Sequence, residues 1–158
     1  MKKVYRTLGS ANFQGKRVLL RAGFDVPIEH GKVLDRTRIE AIVPTMRAVL
    51  DGGGILILAA HQGRPKDVPD PAFSQQPLVP VLKELLGCPV HFAHDCIGPG
   101  ATKVIAKAKA GEVVLLENVR FYPGEKKNDI SFAKALASLA DVYVNDAFTN
   151  CHREHASM

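Results

Sequence analysis

One short stretch constrains this chain more than anything else in it: an apolar run that stops at a cation, a glycine and a carboxylate. Lys16-Arg17-Val18-Leu19-Leu20-Arg21-Ala22-Gly23-Phe24-Asp25-Val26-Pro27 has a Val/Leu centre, which reads as a buried parallel strand. Arg21 to Asp25 is then where the strand leaves the sheet. Similar runs recur at Ile55–Ala60, Pro89–Phe92, Glu112–Leu116 and Asp141–Asn145.

Helical patterns separate these runs. Asp35 can cap a helix whose apolar positions Ile39, Ile42, Val43, Met46, Val49 and Leu50 recur at helical spacing, with Arg38 in its first turn and Pro44 bending it. Gly52-Gly53-Gly54 follows that helix and precedes a strand, so it reads as a C-cap and turn rather than a phosphate loop. Pro77 to Leu86 reads as a second helix closed by Gly87, Ala101 to Lys109 as a third, and Ile130 to Leu139, capped by Asp129, as a fourth. Strands alternating with helices predict βαβ units with right-handed crossovers. The expected fold is α/β, a Rossmann-like parallel sheet with helices on both faces.

In such sheets ligands bind beyond the carboxyl ends of the strands. Arg21, His61, Arg64, Arg120 and Arg153 all fall at or just past predicted strand ends, and Arg38 opens a helix nearby. Guanidinium presents a planar fork of donors that matches carboxylate and phosphate oxygens two at a time. A small anion with several negative charges is the expected partner. Arg17, Arg36 and Arg47 stand off the strand tips and read as surface charges.

Composition narrows the classes without choosing among them. The 158 residues are 46% hydrophobic and 23% charged, with a formal net charge of +5; that is ordinary for a globular chain and argues against disorder. No apolar run approaches the length of a bilayer span, and the basic start, MKKVYRTLGS, leads into no signal-peptide core. Cys88, Cys96 and Cys151 are odd in number and lack C-x-x-C spacing, which fits a reducing, cytoplasmic setting.

Neither G-x-x-x-x-G-K-[ST] nor G-x-G-x-x-G occurs; Gly98-Pro99-Gly100 comes nearest and reads as an ordinary helix entry. His91-x-x-His94 and His152-x-x-His155 have spacings open to metal, yet neither matches a zinc-enzyme motif, and no metal site is expected. Nucleic acid is disfavoured because no aromatic stacking platform accompanies the charge.

Five ordered stretches carry a resemblance: RVLLRAGFDVP from Arg17, DRTRIEAIVPT from Asp35, HQGRP from His61, LLENVRFYPGEKKND from Leu115, and DVYVNDAF with HREHAS from Asp141 onward. With these the chain resembles the N-terminal domain of phosphoglycerate kinase. The resemblance implies reversible phosphoryl transfer between ATP and 3-phosphoglycerate, giving 1,3-bisphosphoglycerate, in a monomer whose two α/β domains meet at a hinge. MgATP or MgADP would belong to the C-terminal domain, with no cofactor bound tightly here. Carried over by motif, the substrate contacts would be Gly23, Phe24, Asp25, Arg38, His61, Gln62, Gly63, Arg64, Arg120 and Arg153. Arg38 would also act catalytically, stabilising charge on the transferred group.

Two departures stand out. The family stretch Arg-Val-Asp-Phe-Asn-Val-Pro is here Arg21-Ala22-Gly23-Phe24-Asp25-Val26-Pro27, so Gly23 replaces the aspartate that meets the substrate hydroxyl. If strand geometry continues, positions 23 and 25 share a face, and Asp25 is expected to take over that contact. Phe148-Thr149-Asn150-Cys151-His152 likewise stands where the family has Phe-Gly-Thr-Ala-His. Family members are more than twice as long, so residues 1–158 are expected to form an incomplete N-terminal domain without the nucleotide domain, binding the acid but not transferring phosphate alone. The alternative is a stand-alone phosphometabolite-binding or regulatory module.

Overall fold

The structure, a computed structural model, describes residues 7–158; the basic start at residues 1–6 lies outside the described residues. Five strands form one parallel sheet: β1 (Arg17–Ala22), β4 (Ile55–Ala59), β5 (Val90–Ala93), β6 (Val113–Leu116) and β7 (Val142–Asp146). They run in the order β5-β6-β4-β1-β7. β1 lies inside the sheet, with Arg21 level with Ala59 on one side and Asn145 on the other.

Alternation along β1 sorts its side chains between two cores. Val18 and Leu20 join Leu56, Leu58 and Leu115 on one face, under α1 (Thr37–Asp51) and α2 (Leu78–Leu86). Leu19 joins Ile57, Val114 and Leu116 on the other, under α3 (Gly98–Ile105) and α5 (Ile130–Ala137). A period of two on strands buried on both faces produces this division. The fold is the α/β parallel sheet with helices on both faces that the alternating pattern predicts.

Local chemistry sets the element ends. Asp35 Oδ1 accepts from the Thr37 N–H at 2.8 Å and from its hydroxyl at 2.6 Å, opening α1. Asp129 accepts from the Phe132 N–H at 2.8 Å and opens α5. Gly87 closes α2 in the left-handed conformation, its N–H bonded to Lys83 O.

Three features differ from the sequence reading. The polar turn around Gly31 is a two-stranded hairpin, β2 (Ile28–Glu29) with β3 (Lys32–Val33). α3 begins at Gly98, because Pro99 fits the first turn of a helix, and it ends at Ile105 rather than Lys109. A short helix, α4 (Pro123–Lys126), occupies the stretch after Arg120. Among the described residues no helix is long and apolar enough to cross a membrane.

Candidate functional site

At the carboxyl end of the sheet lies a cleft of about 530 Å³. Its walls include Gly23, Asp25, Arg38, His61, Arg64, Arg120 and Arg153, which come from five separate segments of chain. They converge because β1, β4, β6 and β7 are parallel, so the loops leaving them share one rim. Lys126 of α4, with Pro65, Thr149, Asn150 and His155, completes the lining. Four guanidinium groups and one ammonium thus surround a single carboxylate, Asp25.

The cations are held differently. Arg38, in the first turn of α1, is exposed and donates Nη1 to Asp25 O at 3.1 Å. Arg120 lies in the tight turn, Val119–Phe121, that Asn118 starts by accepting the Arg120 N–H. It is 8% exposed and donates Nη1 to Gly63 O at 2.8 Å, while its Nε has no acceptor. Burial pushes the Arg120 guanidinium down from its ordinary range, with Asp25 opposing. Arg64 and Arg153 are exposed and make no ion pair among the described residues, whereas Lys126 pairs with Asp67.

Asp25 leaves the extended conformation at φ +23°, and β1 has already ended at Ala22, so strand geometry does not carry residues 23 and 25 onto a shared face. Both nevertheless line the cleft, because the turn brings them there. Asp25 Oδ1 accepts from the Gly63 N–H at 2.8 Å, and Oδ2 stands 3.5 Å from His61 Nε2. His61 first, and then the Gly63 amide against the cost of burial, hold this carboxyl down at about 2. It is an anion at any physiological pH, suited to accepting hydrogen bonds rather than protons.

His61 is 4% exposed, and burial lowers its pKa, with the Arg21 and Arg120 charges adding to that and Asp25 opposing. Phe24 and Gln62 face away from the cleft. Phe24 is fully buried in the core beneath α1. Gln62 clamps residue 26, accepting its N–H at 3.3 Å and donating to its carbonyl. Gly63 contributes through its backbone, at φ +58°.

Arg21 corrects the expectation of a rim cation. It is still inside β1, on the face shared with Leu19, and is wholly buried beneath the cleft. The histidine pairs do not gather metal ligands either: His91 pairs with Glu112 at 3.0 Å, and His94 packs edge-on to Phe92.

The matched family model is that of phosphoglycerate kinase, over residues 8–158. The chain belongs to the phosphoglycerate kinase family. It is 55% identical over 154 residues to the phosphoglycerate kinase of Methylorubrum extorquens strain PA1, covering 97% of this chain and 38% of that protein. With that of Akkermansia muciniphila it shares 52% over 151 residues, covering 96% of this chain and 38% of the relative. Among solved structures, phosphoglycerate kinase from Pyrococcus horikoshii OT3 matches with a TM-score of 0.85 at 32% identity, over 95% of this chain and 38% of that one. That from Coxiella burnetii matches with a TM-score of 0.81 at 30% identity, over 94% and 37%. The chain therefore spans about two fifths of the length of these phosphoglycerate kinases.

The cleft offers one carboxylate, Asp25, among cations, so a magnesium ion there would depend on oxygen ligands from water and from the nucleotide's own phosphates. Among the described residues, no group of three His, Cys, Asp or Glu side chains is placed to hold a metal.

Proposed function

We propose that the cleft binds 3-phosphoglycerate and forms the acid-binding part of a phosphoglycerate kinase site. The observation that carries this reading is four arginines and a lysine around one cleft that holds a single carboxylate. A three-carbon acid with a carboxylate at one end and a phosphate at the other presents two anionic groups to such a ring. Arg64, Arg120 and Arg153 hold those groups, and Asp25, ionised and half-exposed, accepts from the substrate's hydroxyl in the place of an aspartate at position 23.

Phosphoryl transfer is catalysed chiefly by positioning and by neutralising charge on the moving group. Arg38 is the residue for that role. It stands at the mouth of the cleft, exposed, with Nη1 tied to Asp25 O, so its remaining donors are free to meet oxygens arriving from outside. The nucleotide, 1,3-bisphosphoglycerate formation and the second half of the reaction belong to sequence that the longer relatives have beyond the matched length. Residues 1–158 act as the substrate-binding part, and the chain alone binds the acid without transferring phosphate.

The test is calorimetric titration of 3-phosphoglycerate into the chain at low salt. One-site binding is expected, weakened roughly ten- to a hundredfold by Arg64→Ala or Arg120→Ala, since a hydrogen bond to a charged group contributes about 1.5–3 kcal/mol. Asp25→Ala weakens binding too, and equal affinity for that variant removes Asp25 from the hydroxyl contact. Absence of heat from a folded chain at several temperatures overturns the acid site. MgATP-dependent turnover by the purified chain in a coupled assay overturns the claim that it only binds.

A further inference from the structure

Beneath the cleft is a buried polar chain that reaches the lining only at His61 and His155 and has a definite direction. Glu125, at 0% exposure, would be costly as an isolated anion. Its Oε2 accepts from the Ser157 N–H at 3.0 Å and its Oε1 from the Ser157 hydroxyl at 2.6 Å, with His155 Nδ1 3.7 Å away. Ser157 Oγ in turn accepts from Arg21 Nε at 2.8 Å. A hydroxyl has one proton to give, so Ser157 is fixed as acceptor from the arginine and donor to the glutamate.

The other side of the Arg21 fork makes the consequence. Nη1 donates to Ala22 O, and Nη2 lies 2.9 Å from His61 Nδ1. Guanidinium has no acceptor atom, so His61 Nδ1 must accept, and the ring proton of the neutral imidazole sits on Nε2. That nitrogen is 3.5 Å from Asp25 Oδ2 at the wall of the cleft. The charged groups facing His61 are Arg21 and Arg120, which oppose a positive ring, and Asp25, which favours one.

We propose that Glu125 and Ser157 are positioning residues: through Arg21 they hold His61 as the neutral Nε2–H tautomer, with its one donor directed at the acid-binding cleft. The proposal deepens the 3-phosphoglycerate reading and rests on it only for what His61 then does for a ligand. His61 supplies an oriented donor at the Asp25 carboxylate rather than a sixth positive charge, and its orientation is set by residues that do not line the cleft.

The test reads the imidazole nitrogens directly, by long-range proton–nitrogen NMR on the chain with nitrogen-15 histidine, His61 being assigned by its absence in His61→Gln. In the parent at pH 7 the expected spectrum has an unprotonated Nδ1 and a protonated Nε2. A protonated Nδ1, in either a neutral or a charged ring, overturns the proposal without any variant. In Ser157→Ala, Arg21 loses the acceptor that pins it, and the protonation midpoint of His61 is expected to rise by about one pH unit, a tenfold change in proton affinity. A folded Ser157→Ala chain with the parent's nitrogen shifts and midpoint refutes the role of Ser157. Titrating 3-phosphoglycerate into the same parent sample separates the two readings. No binding with the expected tautomer removes the acid site and leaves the relay, while binding with a protonated Nδ1 does the reverse.

Discussion

Gly23 lines the cleft and Gly63 holds the Asp25 carboxylate in its wall, yet backbone conformation gives them opposite tolerance. A Cβ on Gly23 would meet Ala147 Cα at 3.5 Å, an ordinary contact, and its φ lies outside the left-handed region. Gly63 sits at φ +58°, and a Cβ there would meet the Phe73 ring at 2.5 Å. The backbone on both sides of this contact is held as well, because the Asn118 side chain donates to the Phe73 carbonyl at 2.9 Å and to the Gln62 carbonyl at 2.8 Å. Left-handed strain in a residue with a side chain costs about 1–3 kcal/mol. Urea unfolding should therefore show Gly63→Ala destabilised by at least about 1 kcal/mol, and Gly23→Ala within about 0.5 kcal/mol of the parent. Equal stability of the two variants would mean that the turn at residue 63 relaxes freely. The same locality explains what was legible. Arg38, Arg64, Arg120 and Arg153 announced themselves as cations at strand or helix ends, and the cleft collects all four. Arg21 misled because it precedes the strand end by one residue, and that offset decides between rim and interior. Nothing local in the sequence reveals that Ser157 joins Arg21 to Glu125, 32 positions before it.

At the scale of elements, the inner strands β1, β4 and β6 were readable from their Val, Leu and Ile runs, because burial on both faces leaves little ambiguity, and the helices from apolar spacing. The hairpin β2–β3 was not, since two residues per strand are too few to display a period. Strand order was also hidden: β5 lies outside β6, and β7 crosses to the far side of β1, through contacts that no local pattern encodes. One link shows how elements rather than residues hold the rim. Thr45 of α1 donates its hydroxyl to Asp146 Oδ2 at 2.6 Å, tying the helix to the last residue of β7. Thr149, Asn150 and Arg153 reach the cleft just past that point. Thr45→Val keeps the shape and removes the donor. It should lower stability by about 1.5–3 kcal/mol, the worth of a hydrogen bond to a charged group, and raise amide exchange in residues 147–153 above that in β1. An unchanged exchange pattern would mean that α1 does not brace this loop.

The molecule as a whole is a sheet whose carboxyl edge carries like charge from segments far apart in sequence. Arg38, Arg64, Arg120, Lys126 and Arg153 repel one another across the cleft, and that repulsion is an energy the empty fold carries. A polyanion relieves it and simultaneously joins the loops after β1, β4, β6 and β7. Binding to the native state alone stabilises by mass action, by about 2.7 kcal/mol at a hundredfold excess over Kd. For a chain of this size each kcal/mol moves Tm by roughly 2–4 °C, so saturating 3-phosphoglycerate should raise Tm by roughly 5–10 °C. Sodium chloride at equal ionic strength only screens, over about 10 Å at 0.1 M, and should give a much smaller rise. Glycerate, which keeps the carboxylate and hydroxyl and lacks the phosphate, discriminates further. If the cleft reads two anionic groups, glycerate at the same concentration leaves Tm close to the value in salt. If glycerate stabilises as well as 3-phosphoglycerate does, the phosphate makes no net contribution and Arg64, Arg120 and Arg153 cannot hold both groups. Thermal scans of one chain in three solutions thus decide whether the gathered charge acts as one site or as a generally basic edge.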